Sequence, residues 1–309
     1  MDFRTVVDIP KPTFEIAPCE NILFVGSCFA DAIGQRFKEE GFPVTINPFG
    51  TMYNPASILH TLQRLLTPSV STAPSLVCSD SIAVTPSTTP AALAAGSRVA
   101  FLTLGTNHVY RLKATGEIVD NCEKRPQSLF QEEELSVDAC TDYLKRAIAI
   151  LRQHNPNVRI VLTVSPIRYR KYGYHESQLS KATLLLAVNS VVSGFAAGSS
   201  ATPPEALAAG SVSYFPAYEI INDELRDYRF YASDMLHPSE QAVDYIWERL
   251  VAAYFSPEAK AFLEEWRPLK QALAHKPFNP ESSEYRAFMD KTLLKVEEIR
   301  RKYTTFHLW

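Results

Sequence analysis

Three residues that lie far apart in the sequence are of the types that cleave esters through a covalent intermediate. Ser27 follows the apolar run Ile22–Val25 and stands directly before a helical pattern, while Asp234 and His237 lie three residues apart before another helical pattern. A serine in a tight strand-to-helix turn exposes its hydroxyl and its N–H at the end of a sheet, where the N–H can bind an oxyanion. A carboxylate about one turn from a histidine can hold the imidazole so that its other nitrogen takes the serine proton. The pattern therefore predicts a nucleophile, a general base and an orienting acid.

Each of these residues also has a simpler structural interpretation. A serine before a helix is commonly its N-cap, and Asp234 and His237 could be a turn residue and a cap. The thiol of Cys28, beside Ser27, is expected to point into the core as a small apolar group. Pro238 is predicted to take the first position of the helix that follows.

Alternating strand and helix patterns surround the candidate residues. Runs typical of buried strands occupy residues 22–25, 44–46, 99–104, 158–164 and 212–215. Because helical patterns separate them, we predict an α/β fold with a parallel sheet covered on both faces. Ligands of such sheets bind outside the carboxyl ends of the strands. The segments expected at that edge are Ser27, the Gly50 loop, the turn Gly105–Asn107, and the loops 165–176 and 216–237.

The chain has 309 residues, of which 46% are hydrophobic and 21% charged, enough for one large domain and an appendage. We predict a domain over residues 1–255 and a helical C-terminal extension over 256–309. The extension is expected to pack over the core or to form a homodimer contact. Residues 67–97, rich in Ser, Thr, Pro and Ala, are interpreted as an insertion or loop.

Composition excludes several other classes of function. A net charge of −3 gives no basic footprint for nucleic acid, and no stretch approaches the length of a membrane span. The N-terminus carries no signal-peptide pattern, so a cytoplasmic location is the default expectation. The five cysteines are irregularly spaced and indicate neither a disulfide framework nor a metal site. The turn at Gly26 lacks the further glycines of a dinucleotide fingerprint, and no cofactor is predicted.

With these motifs the chain resembles the GSCFA family, whose name is the sequence Gly26–Ala30. The resemblance covers most of residues 10–255 and includes three further motifs: Asn47–Pro55, Thr103–Thr106, and Tyr228–Tyr231 ahead of Asp234 and His237. The family is similar to the SGNH (GDSL-like) hydrolases. The resemblance therefore implies a flavodoxin-like, three-layer αβα sandwich with about five parallel strands. It also implies an ester-cleaving serine in the first motif, with Asp and His in the last.

The same resemblance implies an oxyanion hole completed by a loop glycine and a Gly-x-Asn turn. Gly50 is the best positional match for the glycine, and Asn107, two residues after Gly105, for the asparagine. The chain departs from the usual Gly-Asp-Ser pattern of these hydrolases, because Gly26 takes the position of the aspartate before the serine. The wider GSCFA pattern does not require asparagine at position 107, and it has Asn-Cys-His-Lys where this chain has Asn121-Cys122-Glu123-Lys124. The resemblance therefore makes Asn121 a rival oxyanion donor, and its simpler interpretation is a turn residue.

Three functions fit these residues. The leading hypothesis is a carboxylic-ester hydrolase that removes an acetyl or other small acyl group from a carbohydrate or another small molecule. The same acyl-enzyme could instead pass its acyl group to a sugar hydroxyl, which would make the protein an O-acyltransferase. The altered first motif also fits a catalytically degenerate glycan-binding module. The expected partner is a small-molecule or glycan ester.

Overall fold

The computed structural model describes residues 5–66, 94, 96–120, 122, 125–197 and 211–308. Its strands are β1 (Ile22–Gly26), β2 (Val44–Ile46), β3 (Val99–Leu104), β4 (His108–Leu112), β5 (Ile118–Val119), β6 (Phe130–Glu134), β7 (Arg159–Val164) and β8 (Val212–Tyr214). Its long helices are α1 (Cys28–Glu39), α2 (Pro55–Leu66), α3 (Val137–His154), α4 (Tyr174–Ala197), α5 (Glu240–Tyr254), α6 (Pro257–Ala274) and α7 (Ser283–Lys302). Short helical turns at Ala217–Glu219, Ile220–Leu225 and Tyr228–Phe230 connect β8 to the loop before α5.

Five strands form one parallel sheet in the order β2-β1-β3-β7-β8. Counted along these five strands alone, the order is 2-1-3-4-5, which is that of flavodoxin-like folds. The predicted α/β fold with about five parallel strands is confirmed.

A second, antiparallel sheet has the order β5-β4-β6. From the sequence, residues 109–112 and 117–119 flank a turn at Thr115 and Gly116 and predict only a hairpin from its first two strands. Strand β6 escapes prediction because its residues after Phe130 are Gln131 and three glutamates, which give no buried-strand signal.

Alternation along the central strands divides the core into two layers. Ile22 and Phe24 of β1 face one cluster, which includes residues of α1, α5, α6 and α7. Leu23 and Val25 face the opposite cluster, which includes residues of α2, α3 and α4. Since successive side chains of a strand point to opposite faces, a run of fully buried residues requires helices on both sides. The sheet is therefore the middle layer of an αβα sandwich.

Helix α5, which follows the loop of Asp234 and His237, begins later than predicted. Ser239 is the N-cap of α5, and its hydroxyl accepts a hydrogen bond from the N–H of Ala242. Pro238 therefore precedes the cap, and its predicted place in the first helical position is wrong. A serine cap satisfies a free N–H of the first turn, which proline cannot do.

The C-terminal helices pack on the α1 side of the sheet. Trp266, Val296 and Phe306 belong to the same buried cluster as α1, and the Trp266 indole N–H donates to the carbonyl of Glu39 at 3.2 Å. The extension therefore packs over the core, which is one of the two arrangements expected from the sequence. The domain boundary at 255 and the homodimer contact stay predictions, and most of the predicted insertion at 67–97 lies outside the described residues. No helix in the described part of the chain is long and apolar enough to cross a membrane.

Candidate active site

Ser27 occupies the tight turn between β1 and α1. It is the N-cap of α1, and its Oγ accepts a hydrogen bond from the N–H of Phe29 at 3.3 Å. The preceding Gly26 has a φ of +144°, and a Cβ there would lie 2.1 Å from the carbonyl oxygen of Thr103 in β3. Only glycine permits this backbone conformation and this approach of the two strands. The strand–turn–helix prediction for Ser27 is confirmed, and so is its capping role.

The side chain of Ser27 is fully enclosed, with no exposed surface. Its Oγ lies 3.2 Å from Thr103 Oγ1, and its N–H donates to Thr103 Oγ1 at 2.9 Å and to the Thr103 carbonyl at 3.0 Å. The exposed hydroxyl expected from the turn is therefore not found. The sequence could not indicate this, because Thr103 lies 76 residues away and reaches Ser27 only through the pairing of β1 with β3.

Asp234 and His237 form a hydrogen-bonded pair on the loop before α5. The imidazole Nδ1 lies 2.5 Å from Oδ2 of Asp234, and Oδ1 accepts from the N–H groups of Leu236 at 2.9 Å and His237 at 3.0 Å. These bonds, led by the one from the His237 N–H, lower the pKa of Asp234 to about 2. Since an ionised carboxylate only accepts hydrogen bonds, Nδ1 is the donor of this bond, and Nε2 is the ring nitrogen that the bond does not use.

The Asp234–His237 pair is partly exposed to solvent, whereas Ser27 is fully buried. The side chains of His237 and Asp234 are 45% and 44% exposed. No hydrogen bond joins Ser27 to His237 among the residues that the structure describes. The local geometry of an acid–base pair is thus present, whereas the link to the hydroxyl is not formed.

A series of loop contacts runs along the carboxyl edge of the sheet between the two ends of the site. The N–H of Met52 donates to the Gly26 carbonyl at 2.7 Å, and the N–H of Gly105 donates to the Tyr53 carbonyl at 2.8 Å. Further along the edge, the N–H of Arg168, after β7, donates to the Leu236 carbonyl at 3.0 Å. The loops after β1, β2, β3 and β7 therefore meet at this edge together with the loop before α5.

The predicted oxyanion donors are engaged in bonds within the protein. The N–H of Gly50 donates to the Asn47 carbonyl at 2.8 Å, and the Asn107 side-chain amide donates to the Leu135 carbonyl at 2.8 Å. Asn107 is buried, and its Oδ1 has no hydrogen-bond partner in the described structure. Asn121 lies outside the described residues. An oxyanion would have to replace Asn47 at the Gly50 N–H, whereas Asn107 Nδ2 carries two N–H donors, of which the bond to Leu135 uses one.

Asn47 is a residue of the site that was not singled out from the sequence. Its Oδ1 accepts from the N–H of Gly26 at 2.8 Å, and its Nδ2 donates to Asp31 Oδ1 at 2.8 Å. Burial raises the pKa of Asp31, and the bond from Asn47 lowers it in part. Asn47 thereby ties the β1 turn to the start of α1. Its position before a proline, at the start of the motif Asn47–Pro55, was the available signal, and the structure shows the corresponding turn as a φ of +38°.

Lys181 of α4 is a second unassigned residue, and it is fully buried behind the edge of the sheet. Its Nζ donates to the Gly105 carbonyl at 2.8 Å and to the Ser165 carbonyl at 2.9 Å. Burial lowers the pKa of Lys181 to about 7. The sequence held a signal, since Lys181 stands three and seven residues before the buried Leu184 and Val188, on the same helical face.

The chain was compared with curated proteins, solved structures and models of protein families. No curated protein sequence matches the chain. A protein from Streptococcus pneumonia described as a platelet activating factor is 16% identical, covers 76% of this chain and 85% of its own, and has a TM-score of 0.42. A mutant acetyl esterase solved with an acetate ion is 10% identical, covers 80% of this chain and 99% of its own, and has a TM-score of 0.38. A carbohydrate esterase of family 3 from Talaromyces cellulolyticus is 14% identical, covers 56% of this chain and 65% of its own, and has a TM-score of 0.29.

These three likenesses carry no weight in assigning residues, since all TM-scores are below 0.5. The family models are more informative. The model described as the GSCFA domain protein, C-terminal domain, matches residues 266–308, which hold the second half of α6 and all of α7. The GSCFA family model matches residues 21–250, which is most of the chain, and the chain therefore belongs to the GSCFA family.

Proposed function

We propose that the protein hydrolyses carboxylic esters through an acyl-enzyme, with Ser27 as nucleophile, His237 as general base and Asp234 as its orienting carboxylate. The observation that carries the proposal is the Asp234–His237 pair, in which Nδ1 is bonded to Oδ2 at 2.5 Å and the side chains are open to solvent. This arrangement fixes the imidazole tautomer that leaves Nε2 free to take a proton.

The reaction begins when the Ser27 hydroxyl turns from Thr103 toward the imidazole. His237 takes the hydroxyl proton as Oγ forms a bond to the ester carbonyl carbon, and it returns that proton to the leaving alcohol. Water then attacks the acyl-enzyme by the same route and releases the acid. The N–H groups of Ser27 and Gly50 leave their present partners to donate to the oxyanion of each step, and Asn107 donates the N–H of its side-chain amide that is not bonded to Leu135.

We also propose that the substrate is an ester of a small acyl group, such as acetyl, with a hydroxyl of a carbohydrate or another small molecule. Transfer of the acyl group to a sugar hydroxyl differs only in the acceptor of the second step. Product analysis with and without an added sugar separates hydrolysis from transfer.

A second candidate function is supported by the burial of Ser27. A hydroxyl with no exposed surface, and an N–H already bonded to Thr103, suit a degenerate module that binds glycans without cleaving them. The two candidates differ in whether Ser27 ever becomes reactive.

A fluorophosphonate probe decides between them, combined with hydrolysis of p-nitrophenyl acetate. We expect covalent labelling of Ser27 and loss of both labelling and hydrolysis in S27A. The matched control is S165A, because Ser165 is also fully buried at the end of a central strand and its Oγ has no hydrogen-bond partner in the described structure. Absence of labelling in the wild type, or equal hydrolysis by wild type and S27A, would refute the hydrolase.

A further inference from the structure

The loop that carries Asp234 and His237 is closed at its base by its own backbone. Tyr231 pairs with Pro238 in an antiparallel bridge, and the N–H of Ala232 donates to the His237 carbonyl at 2.8 Å. At its tip Met235 has a φ of +60°. This left-handed conformation is unfavourable for a residue other than glycine, so the surrounding contacts must hold it.

Asp234 accepts hydrogen bonds from N–H groups at the tip of the loop, but an ionised carboxylate cannot donate to the main-chain carbonyls there. Its carboxylate takes the N–H groups of Leu236 and His237 and the imidazole Nδ1. The carbonyls of Met235 and Leu236 need other partners.

Arg168, on the loop after β7, supplies both partners. Its main-chain N–H donates to the Leu236 carbonyl at 3.0 Å, and its Nη1 donates to the Met235 carbonyl at 3.2 Å. One residue therefore binds the two carbonyls that lie between the carboxylate and the histidine.

The guanidinium of Arg168 is itself held by three aromatic rings. Its central carbon lies 4.6 Å from the ring centroid of Tyr174 and 5.4 Å from those of Tyr228 and Tyr231. The rings come from the start of α4 and from the segment that leads into the loop of Asp234 and His237. A planar cation stacks against such rings better than an ammonium does.

We propose that Arg168 is a positioning residue that holds the Asp234–His237 pair in its reactive arrangement through the carbonyls of Met235 and Leu236. It does not touch the substrate in this role. The inference rests on the proposed hydrolase only for its effect on rate, because its effect on the loop is measurable without any substrate.

The test compares R168Q and R168K with R170Q, a change of exposed charge two residues along the same loop. Hydrogen–deuterium exchange, followed by mass spectrometry, is measured on peptides that cover residues 232–239. We expect faster exchange in R168Q, an intermediate rate in R168K, and the wild-type rate in R170Q. With p-nitrophenyl acetate, R168Q should lower kcat about 10- to 100-fold and leave KM within about twofold, because the base is misplaced and the substrate site is not.

Equal exchange of the 232–239 peptides in R168Q and R170Q would overturn the proposal, and so would wild-type exchange in R168K. If R168Q does not fold cooperatively, R168K against R170Q decides the question by the same readout. If S27A hydrolyses the ester as well as the wild type, the proposed hydrolase fails, while the exchange data still judge the role of Arg168.

Discussion

The two ends of the candidate site are built in opposite ways. At one end Ser27 has no exposed surface, and its N–H and hydroxyl are bonded to Thr103 of the neighbouring strand. At the other end Asp234 and His237 are 44% and 45% exposed on a loop held chiefly through main-chain carbonyls. The proposed nucleophile is thus part of the protein core, whereas the proposed general base lies at the surface.

Because of this difference, we expect substitutions at the two ends to differ in whether they change the free energy of unfolding as well as activity. A change near Ser27 alters contacts between β1, β3 and α1, so it should lower the free energy of unfolding as well as activity. A change at the Asp234–His237 loop alters few buried contacts and should affect activity alone. Three predictions test this contrast, and a fourth concerns the buried Lys181 behind the same edge of the sheet.

The largest effect is expected for H237Q on the rate of ester hydrolysis. Loss of the base should lower kcat about 10⁴-fold or more, while the free energy of unfolding changes by no more than about 0.5 kcal/mol, since the side chain is half exposed. Steady-state kinetics and urea unfolding of the same preparation measure both quantities. A large loss of stability in H237Q would contradict the contrast.

Lys181 should make stability depend on pH between about 7 and about 10.5. Burial lowers its pKa from the ordinary value of 10.5 to about 7, so between these values the unfolded chain binds more protons than the folded one. The free energy of unfolding should therefore rise with pH over this window, by at most about 5 kcal/mol.

The measurement is the difference between wild type and K181M in urea unfolding at several pH values. K145M, which removes an exposed lysine of α3, is the control and should keep the wild-type slope. The same slope in K181M and wild type would show that Lys181 is ionised in the folded protein throughout this range.

The close approach of β1 to β3 predicts that G26A is strongly destabilising. The new Cβ meets the Thr103 carbonyl at 2.1 Å, in a backbone conformation with φ of +144°, so we expect a loss of about 3 kcal/mol or more. G50A is the matched control, because Gly50 also has a positive φ of +86° but nothing lies within 4 Å of its Cβ position. It should lose only about 1 kcal/mol, from backbone strain alone. Equal losses in thermal unfolding would disprove the packing argument.

The smallest effect distinguishes Ser27 from an ordinary helix cap. S27A removes a cap and the buried bond to Thr103, so the free energy of unfolding should fall by about 1–2 kcal/mol. S136A removes only the exposed cap of α3 and should lose about 1 kcal/mol or less. If S27A is as stable as the wild type, Ser27 is not a structural part of the β1 turn.

Much of the site was predictable because its elements are local. The strand before Ser27, the helix after it, and the Asp234–His237 spacing each depend on fewer than about ten neighbouring residues. The partners of Ser27 and Asn107 were not predictable, since these contacts join residues far apart, Ser27 with Thr103 over 76 residues and Asn107 with Leu135 over 28, whereas Gly50 donates to Asn47 within its own turn. Lys181 shares this property, because its partner Gly105 is also 76 residues distant.

By itself, the sequence determined the five strands of the parallel sheet and the helices between them, the GSCFA motif and the pairing of Asp234 with His237. These features follow from the periodicity of apolar residues and from short-range hydrogen bonds. Only the tertiary structure decided that Ser27 is enclosed while His237 is open. The physical reason is that the approach of β1 to β3 brings Thr103 onto the serine, whereas the loop before α5 lies outside the packed layers.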